Sequence, residues 1–144
     1  MDLLAQVLIN GILLGGLYAI MALGLALVWG VLNIVNLAHG AFIMLGAYLA
    51  WHLYHYLGID PFLGLPITAI VMFGVGYAVQ RGILNLVVRA PMFNTLLITF
   101  GMEVVLTYLA QLAFSADFRT INPSYAGSNV ALGPVVVPTV RLAA

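Results

Sequence analysis

The chain has 144 residues, of which 65% are hydrophobic and 6% are charged, and its mean hydropathy is +1.17. Soluble domains carry about 25% charged residues, so this chain has too little charge to cover a water-exposed surface. Four arginines balance four acidic residues, which excludes a basic surface for nucleic acid, and the absence of cysteine excludes disulfides and thiolate metal sites. The composition therefore predicts an integral membrane protein.

Long apolar stretches predict an all-α fold, a helical bundle of about four transmembrane helices, because a helix crosses the hydrocarbon core in ~20 residues. Turn-forming residues then predict an extramembrane loop, in which 135–137 favour a short strand. Residues 140–144 are similar to the opening of another span, so we expect a truncated sequence. The prediction is one membrane domain, 1–144, with spans at 4–32, 37–57, 62–84 and 92–114 and a loop at 115–144.

The first span carries small residues four apart, at Gly11, Gly15 and Ala19, and the third span repeats this spacing from Gly74 to Gly82. Small side chains let helix backbones approach closely in lipid. The pattern predicts helices that pack tightly inside a bundle.

The second span ends in Trp51, His52, Tyr54, His55 and Tyr56. Aromatic rings with a polar edge favour the headgroup level of a membrane, which marks this end as an interface. The two histidines have the spacing of a metal pair, but no further ligand lies near them in the sequence, so interfacial anchoring is the preferred interpretation.

Two sequence features delimit the third span. Asp60 precedes Pro61, and this pair predicts that a helix starts directly after Asp60. At the other end, residues 81–91 are predicted to form a turn that contains Arg81 and Arg89. The positive-inside rule places this turn in the cytoplasm, with the N-terminus and loop 115–144 outside.

A polar cluster interrupts the first apolar region at Asn33, Asn36 and His39, and Gly40 follows directly. One interpretation is a tight turn at a membrane face. The other is a break in a helix within the membrane, which is tolerated only where protein or a wet cavity covers the backbone, and which would therefore belong to a pathway.

His39 has two interpretations within this cluster. Its imidazole lies beside Asn36 at a helix break, where it would line a translocation route or a gate. Alternatively, it donates to a backbone carbonyl that the turn at Gly40 leaves free, and it holds span one against span two. The second interpretation is preferred.

The polar residues of the fourth span recur every fourth position. Because four residues advance a helix by about 400°, they form one slowly winding stripe. A carboxylate at the centre of a bilayer costs about 3 kcal/mol, so the stripe is expected to face other helices or water. Its members are Thr95, Thr99, Glu103, Thr107 and Gln111.

Several segments together resemble LivH-type permeases, the membrane subunits of ABC importers for branched-chain amino acids. The resemblance covers essentially the whole chain but only the N-terminal half of a typical member. The most specific segment is Asn36-Leu37-Ala38-His39-Gly40 followed by Met44-Leu45-Gly46-Ala47-Tyr48. The others are Gly16-Leu17-Tyr18-Ala19, Ala22-Leu23-Gly24, Gly30-Val31 and Thr99-Phe100-Gly101.

The resemblance implies a permease that forms part of the translocation path for branched-chain amino acids or related small amino acids and amides. In such a path Glu103 either meets the ammonium of the solute or a proton path, or it bonds to Thr99 or Thr107 as an uncharged carboxyl. No catalytic, cofactor or metal site is implied. The candidate path residues are Asn33, Asn36, His39, Gly40, Thr99, Glu103 and Thr107.

The resemblance also implies partners and a location. The partners are a second homologous permease, two cytoplasmic ATPase subunits and a periplasmic solute-binding protein, in a bacterial inner membrane that the chain crosses several times. ATP would be hydrolysed on partner chains, and the sequence holds no Gly-x-x-x-x-Gly-Lys-Ser/Thr phosphate loop. The chain itself is therefore not expected to be an enzyme.

The alternative function is a self-contained channel or facilitator for a small neutral solute such as urea. Such a protein needs a complete fold with pore-lining polar groups, and channels often carry internal repeats. The Asn-x-Ala-His-Gly segment is not duplicated in this chain. A membrane enzyme ranks last, because no carboxylate pair, histidine cluster or Ser-His-Asp set is present.

Overall fold

The structure is a computed structural model that describes residues 2–115, 117–125, 127, 129–132 and 135–138. The chain divides into two compact units, one of Met1–Ala26 with Asn122–Ala144 and one of Leu27–Ile121. The candidate site described below lies entirely within the second unit.

The described chain is mainly helical, as predicted. The structure also has two short strands, which the predicted all-α class does not include. Both lie in the segment predicted as a loop. The helices are α1 (Asp2–Leu32), α2 (His39–Leu57), α3 (Pro61–Val79), α4 (Asn85–Val87) and α5 (Met92–Phe114), with a π-helical segment at Gln80–Leu84, and the strands are β1 (Asn129–Leu132) and β2 (Val135–Pro138).

Three helical stretches in the described part of the chain are long and apolar enough to cross a membrane: Leu3–Leu32, Pro61–Val87 and Met92–Phe114. The chain is thus a multi-pass membrane protein. Helix α2 has 19 residues, a length suited to a crossing, but it includes His52 and His55 near its end, which lower its hydropathy.

Helix α3 starts where the sequence predicted. Pro61 is its first residue, and the Asp60 carboxylate accepts a hydrogen bond from the Phe62 backbone N–H at 2.9 Å. This bond satisfies one of the N–H groups that have no partner within the helix, while proline has no N–H to satisfy. The preceding helix α2 ends at Gly58, whose φ of 65° reverses the chain direction.

The predicted turn at 81–91 is wrong at its start, because the helix continues. The π-helical segment Gln80–Leu84 passes directly into α4, and the Gln80 side-chain amide donates to Asn85 Oδ1 at 3.1 Å. The sequence has no proline between Pro66 and Pro91, and Gly82 alone does not end a helix. The true turn lies at 88–91, between α4 and α5.

Helix α2 packs between α3 and α5. A Cβ on Gly46 would lie 3.8 Å from Met72 Cγ, and a Cβ on Gly64 would lie 3.8 Å from Leu53 Cδ1, so α2 and α3 run antiparallel. Helices α2 and α5 run parallel. Ala38 and Phe42 share a cluster with Met102 and Leu106, and farther along, Tyr48 stacks on Phe114 with ring centroids 4.8 Å apart.

The glycines of the small-residue stripes have open space around them. A Cβ at Gly11, Gly15, Gly74 or Gly82 would meet no atom within 4 Å in the described structure. Close helix packing at these positions therefore stays a prediction.

The strand pair is an antiparallel hairpin in which Asn129 lies opposite Pro138 and Leu132 lies opposite Val135. The strand predicted at 135–137 is confirmed by β2. The span opening predicted at 140–144 lies outside the described residues.

Candidate functional site

Asn33 and Asn36 of the polar cluster lie in a non-helical connector, residues 33–38, that joins α1 to α2, and His39 is the first residue of α2. The Asn33 N–H donates to the Trp29 carbonyl at 2.8 Å, and Asn33 has a φ of 54°. This left-handed conformation ends α1, and asparagine is one of the few residues besides glycine that adopts it readily. The chain therefore turns at Asn33, and the turn expected at Gly40 is corrected.

Alternate residues of the connector are buried. Ile34 is 2% exposed, Asn36 is 7% exposed and Ala38 is not exposed at all, while Asn33 and Leu37 face outward. Side chains alternate in this way along extended backbone. One face of the connector is therefore covered by the surrounding helices.

The buried amide of Asn36 is used locally. Its Oδ1 accepts a hydrogen bond from the Ala38 N–H at 3.1 Å, and its backbone carbonyl accepts from the His39 N–H at 3.2 Å. A side-chain bond to the backbone two residues on is the Asx turn, which replaces the bond that regular structure would supply. Asn36 thus satisfies polar backbone at the start of α2, where burial would otherwise leave it unpaired.

Thr99 joins the connector to α5. Its side chain is fully buried, and Oγ1 lies 3.2 Å from the Val35 carbonyl oxygen and 3.1 Å from that of Leu96. Since a helix rises 1.5 Å per residue, Thr99 lies about 10 Å along α5 from Met92. The connector therefore meets α5 well inside that helix and not at its end.

A cavity of about 360 Å³ lies beside the connector. Its wall is formed by the last turns of α1, the first turns of α2 and the end of α3 with the π-helical segment. Three polar side chains, those of Asn36, His39 and Gln80, stand among apolar ones. The apolar lining residues are Val28, Leu32, Phe42, Ile43, Met72, Gly76, Val79 and Leu84.

The structure separates the predicted candidates into two groups. Asn36 and His39 line the cavity and Thr99 holds the connector, whereas Glu103 and Thr107 are half-buried farther along α5 and are absent from the cavity wall. The Thr107 hydroxyl donates to Glu103 Oε1 at 3.5 Å, which is one of the bonds that the uncharged interpretation of Glu103 named.

Gly40 does not have the role that its place beside His39 indicated. It lies in the first turn of α2, and a Cβ there would meet no atom within 4 Å. Neither space nor backbone conformation requires glycine at this position.

Gln80 is the polar residue of the cavity wall that was not among the candidates predicted from the sequence. The feature that could have indicated it is an amide side chain within a long apolar run, directly before Arg81. The π-helical segment that begins at Gln80 was not foreseeable from residue types. Such segments are frequent at functional sites because they redirect side chains within a helix.

Comparisons with known proteins give a consistent result. Residues 7–136 match the family described as the permease component of branched-chain amino acid transport systems. The high-affinity branched-chain amino acid transport system permease protein BraD of Pseudomonas aeruginosa is 29% identical over 133 residues, which cover 87% of this chain and 43% of BraD. The LivH protein of Escherichia coli K12 is 28% identical over 109 residues, covering 70% of this chain and 35% of that protein.

A probable branched-chain amino acid transport permease of Methanocaldococcus jannaschii, also named LivH, is 31% identical over 107 residues, covering 73% of this chain and 34% of that protein. The chain thus spans less than half the length of these relatives. No solved structure matches it significantly. The relatives are named as permeases of transport systems, and none of the names favours a self-contained channel. Because the family match covers most of its length, the chain belongs to the permease family of branched-chain amino acid transport systems.

Proposed function

We propose that this chain forms part of the translocation path for branched-chain amino acids, or related small amino acids and amides, in an ABC importer. The family match over residues 7–136 is the observation that carries the proposal. The names of its relatives in Pseudomonas aeruginosa and Escherichia coli specify branched-chain amino acids.

The cavity beside the connector is the segment of the path that we assign to this chain. Irregular backbone at membrane depth is tolerated where it is buried in protein or lines a wet cavity. Thr99 bonds to the Val35 carbonyl of the connector and Asn36 lines the cavity, which supports a position of the connector inside the membrane. The mostly apolar wall suits an aliphatic side chain. Asn36, His39 and Gln80 offer hydrogen bonds to the polar end of a solute.

The other four candidate residues have different positions and roles. They are Asn33, Gly40, Glu103 and Thr107. Asn33 shapes the connector, while Gly40 lies in the first turn of α2. Glu103 and Thr107 bond to each other within α5, so we assign this pair to the stability of that helix and not to the solute.

The remaining parts of the proposal concern assembly and location. We propose four crossings, with α2 as the second, and a pairing with a second homologous permease, two cytoplasmic ATPase subunits and a periplasmic solute-binding protein. ATP is hydrolysed on the ATPase subunits. The membrane is the bacterial inner membrane, with Arg81 and Arg89 on the cytoplasmic side and the residues after α5 in the periplasm.

Uptake by the assembled system tests this function. Proteoliposomes that contain the complete transporter, its binding protein and internal ATP should accumulate radiolabelled leucine, and should take up urea no faster than protein-free liposomes. Uptake should stop when internal ATP is replaced by a non-hydrolysable analogue. Urea uptake without ATP, together with no leucine uptake, would contradict the proposal.

Variants locate the path within the same assay. Asn36→Ala and His39→Ala should lower leucine uptake at equal protein levels. The matched control is Asn94→Ala, since Asn94 is exposed in the first turn of α5 and does not line the cavity. Normal uptake by His39→Ala would assign the imidazole a structural role.

A further inference from the structure

A second cavity, of about 320 Å³, lies at the end of the fold where α2 and α5 both approach their last turns. Helix α5 ends at Phe114, and the chain turns at Ser115, which has a φ of 64°. The following segment, 117–121, then forms one wall of the cavity, and α2 forms the other. We refer to this cavity as the outer groove.

Arg119 supplies a positive charge to the outer groove. Its guanidinium carbon lies 4.2 Å from the centre of the Trp51 ring, and its Nη2 donates to the Phe114 carbonyl. Its Nε is buried and has no acceptor among the described residues. A guanidinium carries five N–H donors, so these contacts fix its position and leave donors for an anion.

Asp117 supplies a negative charge to the same wall. Its side chain is exposed, and both Asp117 and Arg119 line the groove. In the part of the chain that the structure describes, no ion pair joins the two, so each charge is available to a ligand.

The rest of the groove is apolar. Met44, Ala47 and Trp51 line it from α2, and Ile121 lines it from the opposite wall. A ligand that fits this groove carries an anion and a cation a few ångströms apart, together with an apolar group. A plain anion would be repelled by Asp117, and a plain cation would be repelled by Arg119.

We propose that the outer groove binds the zwitterion of an α-amino acid with an apolar side chain. The carboxylate is held by Arg119, the ammonium is held by Asp117, and the side chain lies against Met44 and Trp51. The biological role rests on the proposed transport function, in which the groove receives the solute before it reaches the cavity beside the connector. The same zwitterion chemistry is present in phosphatidylethanolamine headgroups, so the test separates the two sources.

Tryptophan fluorescence of the complete transporter in nanodiscs measures this binding. These 144 residues contain two tryptophans, Trp29 and Trp51, so the variant Trp29→Phe leaves only Trp51 among them. The emission of Trp51 is obtained by subtracting the emission of the same protein with the additional substitution Trp51→Phe. Leucine should change the signal and saturate, whereas leucinol, which lacks the carboxylate, and 4-methylvalerate, which lacks the ammonium, should bind more weakly.

Two charge variants give the expected pattern. Arg119→Gln should weaken leucine binding by about ten- to hundred-fold, the range for losing a hydrogen bond to a charged group. Asp117→Asn should weaken leucine but leave 4-methylvalerate unchanged or tighter. Arg89→Gln is the control, because Arg89 is exposed and distant from Arg119 in the sequence. This variant should bind leucine like the parent. Arg119→Lys keeps the charge and should retain more leucine binding than Arg119→Gln. If Arg119→Gln does not fold, the comparison of leucine with leucinol still tests the role of the carboxylate.

Three results would overturn the proposal: leucine binding that is unchanged in Arg119→Gln, equal binding of leucinol and leucine, or a leucine signal that appears only in the absence of phosphatidylethanolamine. The last would assign the groove to the lipid headgroup. Leucine uptake by the same preparation is measured in parallel. Normal uptake with no groove signal rejects the groove alone, whereas absent uptake rejects the transport function.

Discussion

Thr99 shows how a single polar side chain fixes the connector. A hydroxyl is inexpensive in a bilayer-spanning helix when it can reach a carbonyl, and Oγ1 of Thr99 has two carbonyls within 3.2 Å. One of them belongs to Val35, whose backbone is outside regular structure. The sequence predicted a polar stripe on α5, but it did not indicate which member would reach across to another segment.

The variant Thr99→Val should destabilise the protein by about 1–3 kcal/mol, because it leaves a buried carbonyl without its donor. Thr99→Ser keeps the hydroxyl and should cost less. The free energy of unfolding in mixed detergent micelles measures the effect. Thr107→Val is the control, since Thr107 is only half-buried and its bond to Glu103 is long at 3.5 Å. Equal losses at the two positions would contradict the assigned role of Thr99.

Glu103 illustrates where the sequence was least informative. A carboxylate in a predicted span indicates function by default. The structure places it one turn beyond Thr99 but outside the cavity wall, with Thr107 as its partner. Residue type and spacing alone do not distinguish a pathway residue from one that bonds within its own helix.

The variant Glu103→Gln should therefore transport leucine like the parent across the pH range in which the transporter is active. Gln keeps the size and the ability to accept from Thr107, and it removes the charge. Initial uptake rates in proteoliposomes at several pH values measure the effect. A large loss of uptake, at equal protein levels and with a changed pH profile, would place Glu103 on the path after all.

At the scale of elements, the candidate site depends on the connector between α1 and α2. The sequence predicted an interruption here from Asn33, Asn36 and His39, and it left open whether this was a surface turn or a break inside the membrane. Contact with α5 at Thr99, about 10 Å from Met92, favours the break. The turn was expected at Gly40 because glycine favours left-handed backbone, but Asn33 adopts that conformation instead.

Local chemistry explains which other boundaries were predictable. Asp60 and Pro61 determine a helix start by themselves, since one accepts the hydrogen bond and the other has no N–H to satisfy. The end of the third helical stretch was less predictable. The π-helical segment contains a backbone bond from the Asn85 N–H to the Gln80 carbonyl, five residues apart, and no residue type predicts it.

Substitution at Asn33 tests the connector directly. Asn33→Val should cost about 1–2 kcal/mol, because a branched side chain disfavours the left-handed conformation, whereas Asn33→Gly should be nearly neutral. The same change in regular helix, Asn94→Val, should cost little, since the two residues have similar helix propensity. Unfolding in detergent measures all three. A neutral Asn33→Val would contradict the assigned turn.

At the scale of the whole molecule, the helices present large apolar side chains on their outer faces. Leu112 is 84% exposed, Phe73 is 76% exposed and Ile70 is 72% exposed. In water such surfaces would associate without specificity, so lipid or partner helices must cover them. The composition alone predicted this environment, because it depends on average polarity and not on any single contact.

The cavity beside the connector was the part that composition could not predict. It requires that the ends of α1 and α3 and the start of α2 come together around Asn36, His39 and Gln80. These segments are distant in sequence, and their approach depends on how the helices pack. Periodicity therefore predicted the spans, while the cavity became visible only in the assembled fold.

Cysteine accessibility in the complete transporter tests the central claim, that the cavity beside the connector lies on the path of the solute. These 144 residues contain no cysteine, so Ile43→Cys in the cavity and Ile70→Cys on the exposed face of α3 each introduce one thiol into them, and the unsubstituted transporter gives the background. A water-soluble methanethiosulfonate reagent should modify Ile43→Cys during ATP turnover, leucine should slow that modification, and Ile70→Cys should stay unmodified in lipid. If Ile43→Cys reacts no faster than Ile70→Cys and leucine changes neither rate, the path does not pass through this cavity.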